Sequence, residues 1–350
     1  MDEYTLCQNE PNAASILEAH WSSWVSQADF QKIASAGFNL VRIPIGYWAF
    51  QKYDQDPYIM GAQQYLDQAI TWARATGLKV WIDLHGAPRS QNGADNSGQR
   101  LPKPYWTTSD SVAATETVMN LIAQKYGTAA YSDVIVGIEV LNEPLMSELV
   151  GGRGATQGYY QDAFTIVRNN GQAPVIIHDG FANPSSWNGF LTGQGTSGAI
   201  VDHHEYQVFT NEELALSPAE HVDYVCTSAQ TWAEGQDKFL IAGEWTAAMT
   251  DCAPGLNGWG IGARYDGTYP GSSYIGSCDT INFIDEWTQT QKTETANYIT
   301  AQIDVFEQKV QGWIFWNFKT EATAEWDLFR LLDAGVFPDL NGYTSSSTCG

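Results

Sequence analysis

The sequence alternates between short apolar runs and longer stretches with helical periodicity, and this alternation restricts the possible folds more than any other feature. Seven runs are rich in aliphatic and β-branched residues. They cover residues 39–46, 79–86, 135–144, 174–181, 199–206, 238–245 and 310–318. The helical patterns cover residues 29–36, 65–76, 111–126, 159–169, 218–233 and 293–309. Since parallel strands need long crossover connections, usually helices, the alternation predicts a parallel sheet of the α/β class.

Polar side chains recur near the C-terminal ends of these runs. They are Arg42, His85, Asn142, Glu143, Asp179, His204, Tyr206, Glu244 and Trp316. Barrels of alternating strands and helices place their chemistry at this rim, and one barrel commonly uses about 250 residues or more. We therefore predict a (β/α)8 TIM barrel in a single domain that covers residues 1–350.

An open doubly wound sheet is the competing architecture. It would gather its ligand residues at one switch point, yet no glycine-rich phosphate loop follows any of the runs. The barrel is preferred, although only seven runs are found. Residues 1–28 contain a helical pattern at 16–25 and no strand pattern, so we expect the first barrel strand to be missing from the chain as given.

The charge balance restricts the partners. With 17 Lys and Arg residues against 40 Asp and Glu residues, the net charge of −23 disfavours nucleic acids and anionic membrane surfaces. The sequence contains neither a membrane-length apolar run nor a signal segment. We expect a monomer that acts outside the cell or in the cell wall after removal of a signal.

The five cysteines form no CxxC pair and have no histidine at zinc-site spacing. They therefore predict disulfides with one cysteine left over, rather than a metal cluster, and sequence alone leaves the pairing open. We expect no metal and no cofactor. Metal-dependent hydrolysis is disfavoured further because His203 and His204 are adjacent instead of lying at helical spacing.

Two glutamates carry the expected chemistry. Glu143 stands in the segment LNEP, where Pro144 ends the strand, and Asn142 can share its pocket only if the strand bulges or ends there. Glu244 follows the apolar stretch FLIAG at the end of another run. Glycoside hydrolysis needs such a carboxyl pair. We assign the general acid/base to Glu143 and the nucleophile to Glu244, and sequence spacing leaves retention or inversion of configuration open.

Several segments form a distinctive set beyond these two residues. They are VRIPIGYW at 41–48, DLHGAP at 83–88, SQNGADNSG at 90–98, IEVLNEP at 138–144, DHHEYQVF at 202–209, GEWTAAMTDC at 243–252, ARYDG at 263–267 and WIFWNFKTE at 313–321. In these segments the chain resembles the fungal exo-β-1,3-glucanase (glucan 1,3-β-glucosidase) branch of glycoside hydrolase family 5. The resemblance implies a (β/α)8 barrel that removes glucose from the non-reducing ends of a β-1,3-glucan by a retaining mechanism.

The resemblance also implies roles for individual residues. Glu143 matches the family's acid/base and Glu244 its nucleophile. The positions that line the subsite for the terminal sugar match Arg42, His85, Asn142, His204, Tyr206 and Trp316. Further substrate-binding positions match Asp95, Asn96 and Phe209, of which Phe209 would form half of an aromatic clamp at the next sugar.

The chain departs from the family at three places. Ala94 replaces the phenylalanine that completes the aromatic clamp, Arg89 replaces a common glycine, and nothing matches the family's first strand with its sugar-contacting glutamate. Ala94 and Arg89 keep open a β-glucosidase or diglycosidase that acts on plant glycosides. A non-catalytic glucan-binding protein is the alternative from a different class, which the missing strand would favour and the two retained glutamates disfavour.

Overall fold

The fold is known from a computed structural model, which describes residues 2–53, 55–345 and 349. Contacts divide the chain into two compact units. The first unit comprises Met1–Ala182, Ser186–Asp202 and Asp237–Phe239, and the second comprises Asn183–Ser185, His203–Gln236 and Leu240–Gly350. The single domain expected from the sequence stays a prediction.

The first unit alternates strands and helices along the chain. Its elements are α1 (Glu3–Asn9), α2 (Ala13–Trp24), α3 (Gln27–Ser35), β1 (Leu40–Gly46), α4 (Ala62–Thr76), β2 (Lys79–Gly86), α5 (Ser109–Tyr126), β3 (Ile135–Glu139), α6 (Gly152–Asn170), β4 (Val175–His178) and β5 (Ala199–Glu205), whose last three residues belong to the second unit. The neighbouring pairs β1–β2, β2–β3, β3–β4 and β4–β5 are all parallel. In register, Leu40 of β1 faces Lys79 of β2, and Ile138 of β3 faces Val175 of β4.

Local signals in the sequence explain where these elements begin and end. Helix α3 starts at a capping box in which Ser26 and Asp29 bond each other's backbone N–H groups. Helix α4 stops at Gly77, whose φ of 80° is the left-handed conformation that glycine adopts at low cost. The strands are apolar because both of their faces are covered: in β2 the neighbouring residues Trp81 and Ile82, which point to opposite faces, are both buried.

The second unit contains α7 (Asn211–Leu214), α8 (Pro218–Trp232), β6 (Leu240–Trp245), α9 (Gln289–Lys309), β7 (Trp313–Phe315) and α10 (Leu328–Asp333). Strands β6 and β7 pair in parallel. Capping boxes begin both long helices: Ser217 with Glu220 starts α8, and Thr288 with Gln291 starts α9. The fully buried Trp245 packs against the rings of Phe306, Trp313, Phe315 and Phe337.

Disulfides are present, as predicted. Cys226 is bonded to Cys349, and Cys252 is bonded to Cys278. The half-buried Cys7 is the free cysteine, which agrees with the one cysteine expected to be left over. The second bond lies within the long connection that follows β6, where it links two cysteines that are 26 residues apart.

All seven predicted strands are present, and all six predicted helices as well as the predicted 16–25 helix overlap observed ones. In the described part of the chain before β1 there are helices and no strand, as expected. Three strands end well before their predicted C-terminal residues: β3 at Glu139, β4 at His178 and β7 at Phe315. Single backbone bonds to neighbouring strands continue beyond these ends, as from Val140 N–H to the Ile176 carbonyl, but no regular strand does. Helices α1, α7 and α10 were not predicted, because each is shorter than the window in which helical periodicity is recognisable. None of the described helices has the length and apolar character needed to cross a membrane.

Candidate active site

Glu143 lies beyond the end of β3 in a strained backbone conformation. Its φ of 43° places it in the left-handed region, which costs a non-glycine residue on the order of 1–3 kcal/mol. The buried Gln91 bonds to the backbone on both sides of Glu143. Its side-chain Nε2 donates to the Asn142 carbonyl at 2.9 Å, and its backbone carbonyl accepts from the Leu145 N–H at 3.0 Å. These bonds hold Glu143 in the conformation that takes its side chain out of the strand's alternation.

Asn142 is fully buried, and its amide is oriented by Arg42. Nη2 of Arg42 donates to Oδ1 of Asn142 at 2.7 Å. The same guanidinium contacts one oxygen of Glu139, from Nε at 2.9 Å and from Nη2 at 2.8 Å, and it lies 3.1 Å from Oδ2 of Asp83. Because Oδ1 is engaged by an obligate donor, the Nδ2 group of Asn142 is the end left to donate elsewhere. It lies 3.5 Å from Nε2 of His85.

His85 is oriented by Asp83 in the same strand. Nδ1 of His85 lies 2.6 Å from Oδ2 of Asp83. Burial opposes ionisation of Asp83, but the charge of Arg42 and the contact with His85 outweigh it and hold the pKa of that carboxyl below its usual value. Asp83 and Glu139 therefore accompany Arg42 as buried counter-charges, and Asp202 lies 4.0 Å from the same guanidinium.

Asn96 reaches Glu143 directly. It lies in a turn of 3-10 helix, Asp95–Ser97, within the long connection after β2, and its Nδ2 donates to Oε2 of Glu143 at 3.0 Å. Asp95 forms an ion pair with Arg100 at 3.3 Å. The first unit thus brings together Arg42, His85, Asn96, Asn142 and Glu143 of the residues predicted from sequence.

Glu244 lies at the end of β6 in the second unit and is only 5% exposed. The Tyr206 hydroxyl donates to its Oε2 at 2.7 Å, and Nδ1 of the buried His204 lies 3.5 Å from the same oxygen. These two contacts orient the carboxylate through one of its oxygens. Such an arrangement suits a nucleophile or an electrostatic stabiliser.

Aromatic side chains surround Tyr206. Its ring makes an edge contact with Phe209 at 5.6 Å and a tilted contact with Trp326 at 5.4 Å. Trp316 packs against the same buried cluster as Tyr206, a cluster that includes Val208 and Trp326. Phe209 is 44% exposed, so part of its ring is free to meet a ligand. The second unit therefore gathers Glu244, His204, Tyr206, Phe209 and Trp316 of the predicted residues.

Sequence reasoning missed three residues that hold the first unit's site: Asp83, Glu139 and Gln91. The first two are charged residues in the middle of apolar runs, which is a recognisable sign of a buried partner. Gln91 carried no such signal because it lies in a loop. Arg89, which stands where the family commonly has a glycine, stacks over Tyr53 at 5.5 Å and lies 3.5 Å from Asp110. Its φ of 62° explains why glycine suits this position.

Comparison with known proteins identifies the family. A family model described as Cellulase (glycosyl hydrolase family 5) matches residues 8–266. The glucan 1,3-beta-glucosidase of Lachancea kluyveri is 45% identical over 97% of this chain and 78% of its own length. The glucan 1,3-beta-glucosidase I/II of Saccharomyces cerevisiae is 45% identical over 97% of this chain and 77% of its own length.

Solved structures share the fold. The rutinosidase from Aspergillus niger matches with a TM-score of 0.76 at 18% identity, over 96% of this chain and 89% of that one. The endoglucanase Cel5A of Pseudomonas stutzeri matches with a TM-score of 0.53 at 17% identity, over 83% of this chain and 76% of that one. The predicted α/β class and (β/α)8 TIM barrel, represented by seven strands in the described residues, are confirmed. The chain belongs to glycosyl hydrolase family 5 and is a glycoside hydrolase.

Proposed function

We propose that this enzyme hydrolyses β-1,3-glucan with retention of configuration and releases glucose from the non-reducing ends. The observation that carries the substrate class is the 45% identity, over 97% of the chain, with relatives named glucan 1,3-beta-glucosidase. The observation that supports the chemistry is that two strand-end glutamates each accept a dedicated donor: Glu143 from Asn96 and Glu244 from Tyr206.

The proposed mechanism is a double displacement. Glu244 attacks the anomeric carbon while Glu143 gives its proton to the glycosidic oxygen, which leaves as the hydroxyl of the shortened glucan. A covalent glucosyl ester on Glu244 results. Glu143, now a carboxylate, takes a proton from water as that water attacks the anomeric carbon and releases Glu244. No cofactor is needed, because Glu143 gives up and regains the one proton that each step moves, and Glu244 forms and then releases the bond to the anomeric carbon.

The surrounding residues supply binding and orientation. We propose that the terminal glucose is bound by Arg42, His85, Asn142, His204, Tyr206 and Trp316, and that the next sugar is bound by Asp95, Asn96 and Phe209. The oriented Nδ2 of Asn142 is a suitable donor for the sugar hydroxyl next to the reacting carbon. Trp316 offers an apolar face to the pyranose ring.

Time-resolved proton NMR of laminaribiose and laminarin hydrolysis tests this function. The proposal expects glucose as the first product, and it expects the β-anomer to appear before mutarotation. Replacement of Glu143 by Ala should slow hydrolysis by several orders of magnitude, and added azide should yield β-glucosyl azide by attacking the ester in place of water. α-Glucose as the first product, or a mixture of longer oligosaccharides, would contradict it.

A β-glucosidase or diglycosidase activity on plant glycosides is the second candidate, and Ala94 favours it. Ala94 is exposed and stands where the family's aromatic clamp has a phenylalanine. This position therefore contributes no aromatic ring to the subsite that binds the second sugar. A wider subsite would accept a bulky aglycone. Relative turnover of laminaribiose and of aryl or flavonoid glucosides separates the two candidates.

We propose that the protein acts outside the cell or in the cell wall as a monomer. Two disulfides support an oxidising compartment, because cytosolic thiols are kept reduced. The net charge of −23 is consistent with a partner that is an uncharged glucan. Fractionation of the source cells should find the activity in the medium or wall, and light scattering should give a mass near 38.6 kDa. Activity confined to cytosol would contradict the compartment, and a dimer mass would contradict the monomer.

A further inference from the structure

A chain of two side-chain amides runs to Glu143 in the first unit. Nδ2 of Asn92 donates to Oδ1 of Asn96 at 3.1 Å, and Nδ2 of Asn96 donates to Oε2 of Glu143 at 3.0 Å. An amide has an acceptor at one end and donors at the other. The bond from Asn92 therefore decides which end of Asn96 faces Glu143.

The direction of this chain is set by the backbone. Oδ1 of Asn92 accepts from the N–H group of Ala94 at 2.9 Å, and a backbone N–H can only donate. The oxygen of Asn92 is thereby fixed on the Ala94 side, and its NH2 group is directed at Asn96. Each amide orientation then follows from the one before it, and the last donor in the chain faces Glu143.

The loop that carries both amides is held in place relative to Glu143. Gln91, next to Asn92, bonds the backbone on both sides of Glu143. On the far side of the loop the N-terminal helix α1 is attached: Oδ2 of Asp2 accepts from Arg100 N at 2.8 Å, and Tyr4 N donates to the Gly98 carbonyl at 3.0 Å. These contacts on both sides therefore hold the loop, and with it the two amides, in place.

We infer that Asn92 is a positioning residue for the proton-transfer steps: it orients Asn96 so that an N–H donor faces the carboxylate which Glu143 becomes after the first displacement. The inference rests on the acid/base role proposed above for Glu143. Giving up its proton to the leaving oxygen makes Glu143 an anion, and that anion must persist until it takes a proton from the attacking water. A donor aimed at it stabilises this form.

Asn92→Asp tests the inference, because a carboxylate cannot donate to Oδ1 of Asn96. Asn96 would then turn its NH2 group toward the new carboxylate and present its oxygen to Glu143. The Asn96 oxygen and the Glu143 carboxylate would then be two acceptors facing each other, which favours the protonated form of Glu143 and raises its pKa. The alkaline limb of the kcat/KM profile should therefore move to higher pH. Turnover of an activated aryl β-glucoside, limited by release of the ester, should fall roughly ten- to a hundredfold.

A double-mutant cycle separates orientation from simple repulsion by the added charge. In an Asn96→Ala background, Asn92→Asp should no longer move the alkaline limb, because the amide that transmits its effect is gone. Gln99→Glu adds the same charge to the same loop outside the amide chain and should leave the limb in place. A shift of equal size with and without Asn96, or no shift in the single variant of a folded protein, overturns the inference.

The role of Glu143 is checked in the same series. On laminaribiose, whose leaving oxygen needs a proton, the wild type should show the alkaline limb, and the residual activity of Glu143→Gln should not. If the limb persists there, the proposed acid/base role fails. If the limb belongs to Glu143 and Asn92→Asp leaves it unmoved, only the positioning role fails.

Discussion

Glu325 should make the protein less stable at neutral pH than at mildly acidic pH. This carboxyl is buried after β7, and it accepts hydrogen bonds from the Thr250 hydroxyl at 2.6 Å and the Met249 N–H at 3.2 Å. Burial raises its pKa from 4.5 to about 7 against these two donors, with help from the nearby charge of Asp251. The folded protein therefore holds this proton more tightly than the unfolded chain does.

The sign and size of the effect follow from linkage. The stabilising contribution is complete below pH 4.5 and is lost as the pH rises to about 7. Since a tenfold change in proton affinity is worth about 1.36 kcal/mol, the loss is about 3 kcal/mol. Glu325→Gln keeps the shape of the side chain without the charge. As the pH rises from 4.5 to 8, the free energy of unfolding of this variant should therefore increase by about 3 kcal/mol relative to that of the wild type.

Urea denaturation of both proteins at several pH values in this window measures the difference directly. Other carboxyls also titrate here, among them Glu3 with a pKa raised to about 7, and comparing variant with wild type cancels their contribution. Glu321→Gln, an exposed glutamate in the same segment, is the matched control and should behave as the wild type. Equal pH dependence in wild type and Glu325→Gln would refute the reasoning.

Three further changes test the site. Tyr206→Phe removes the 2.7 Å bond to Glu244 and should lower kcat/KM on an aryl β-glucoside roughly ten- to a hundredfold at unchanged thermal stability; unchanged kinetics would contradict the role of Tyr206. Arg42→Lys cannot reproduce the planar fork on Glu139, so urea denaturation should show a loss of about 2 kcal/mol, and full stability would contradict the buried ion pair. Ala94→Phe should raise kcat/KM for laminaribiose relative to aryl glucosides, and identical preferences would remove the explanation for this position.

The features that sequence predicted well are those set by local periodicity. The strands β1 to β7 follow from short apolar runs, and the rim position of Glu244 follows from its place after FLIAG. The departure of Glu143 from its strand was predictable from Pro144, which removes a backbone donor. That Asn142 and Glu143 serve one pocket is a prediction that the turn after β3 supports.

The features that sequence could not predict depend on contacts between distant loops. The bonds of Gln91 to the backbone around Glu143 join segments about fifty residues apart, and no pattern within either segment marks them. The docking of Asp2 on the Arg100 loop is equally non-local. Glu139 was predictable in principle, because a charge inside an apolar run needs a buried partner such as Arg42.

Identification of the nucleophile tests the central claim most directly. Incubation with 2-deoxy-2-fluoro-β-glucosyl fluoride should trap the glucosyl ester, and peptide mass spectrometry should find one adduct per chain on Glu244. Glu244→Gln should show no adduct, while Glu143→Gln should still be labelled because fluoride leaves without a proton. An adduct on another residue, or persistent labelling of a folded Glu244→Gln protein, would contradict the assignment.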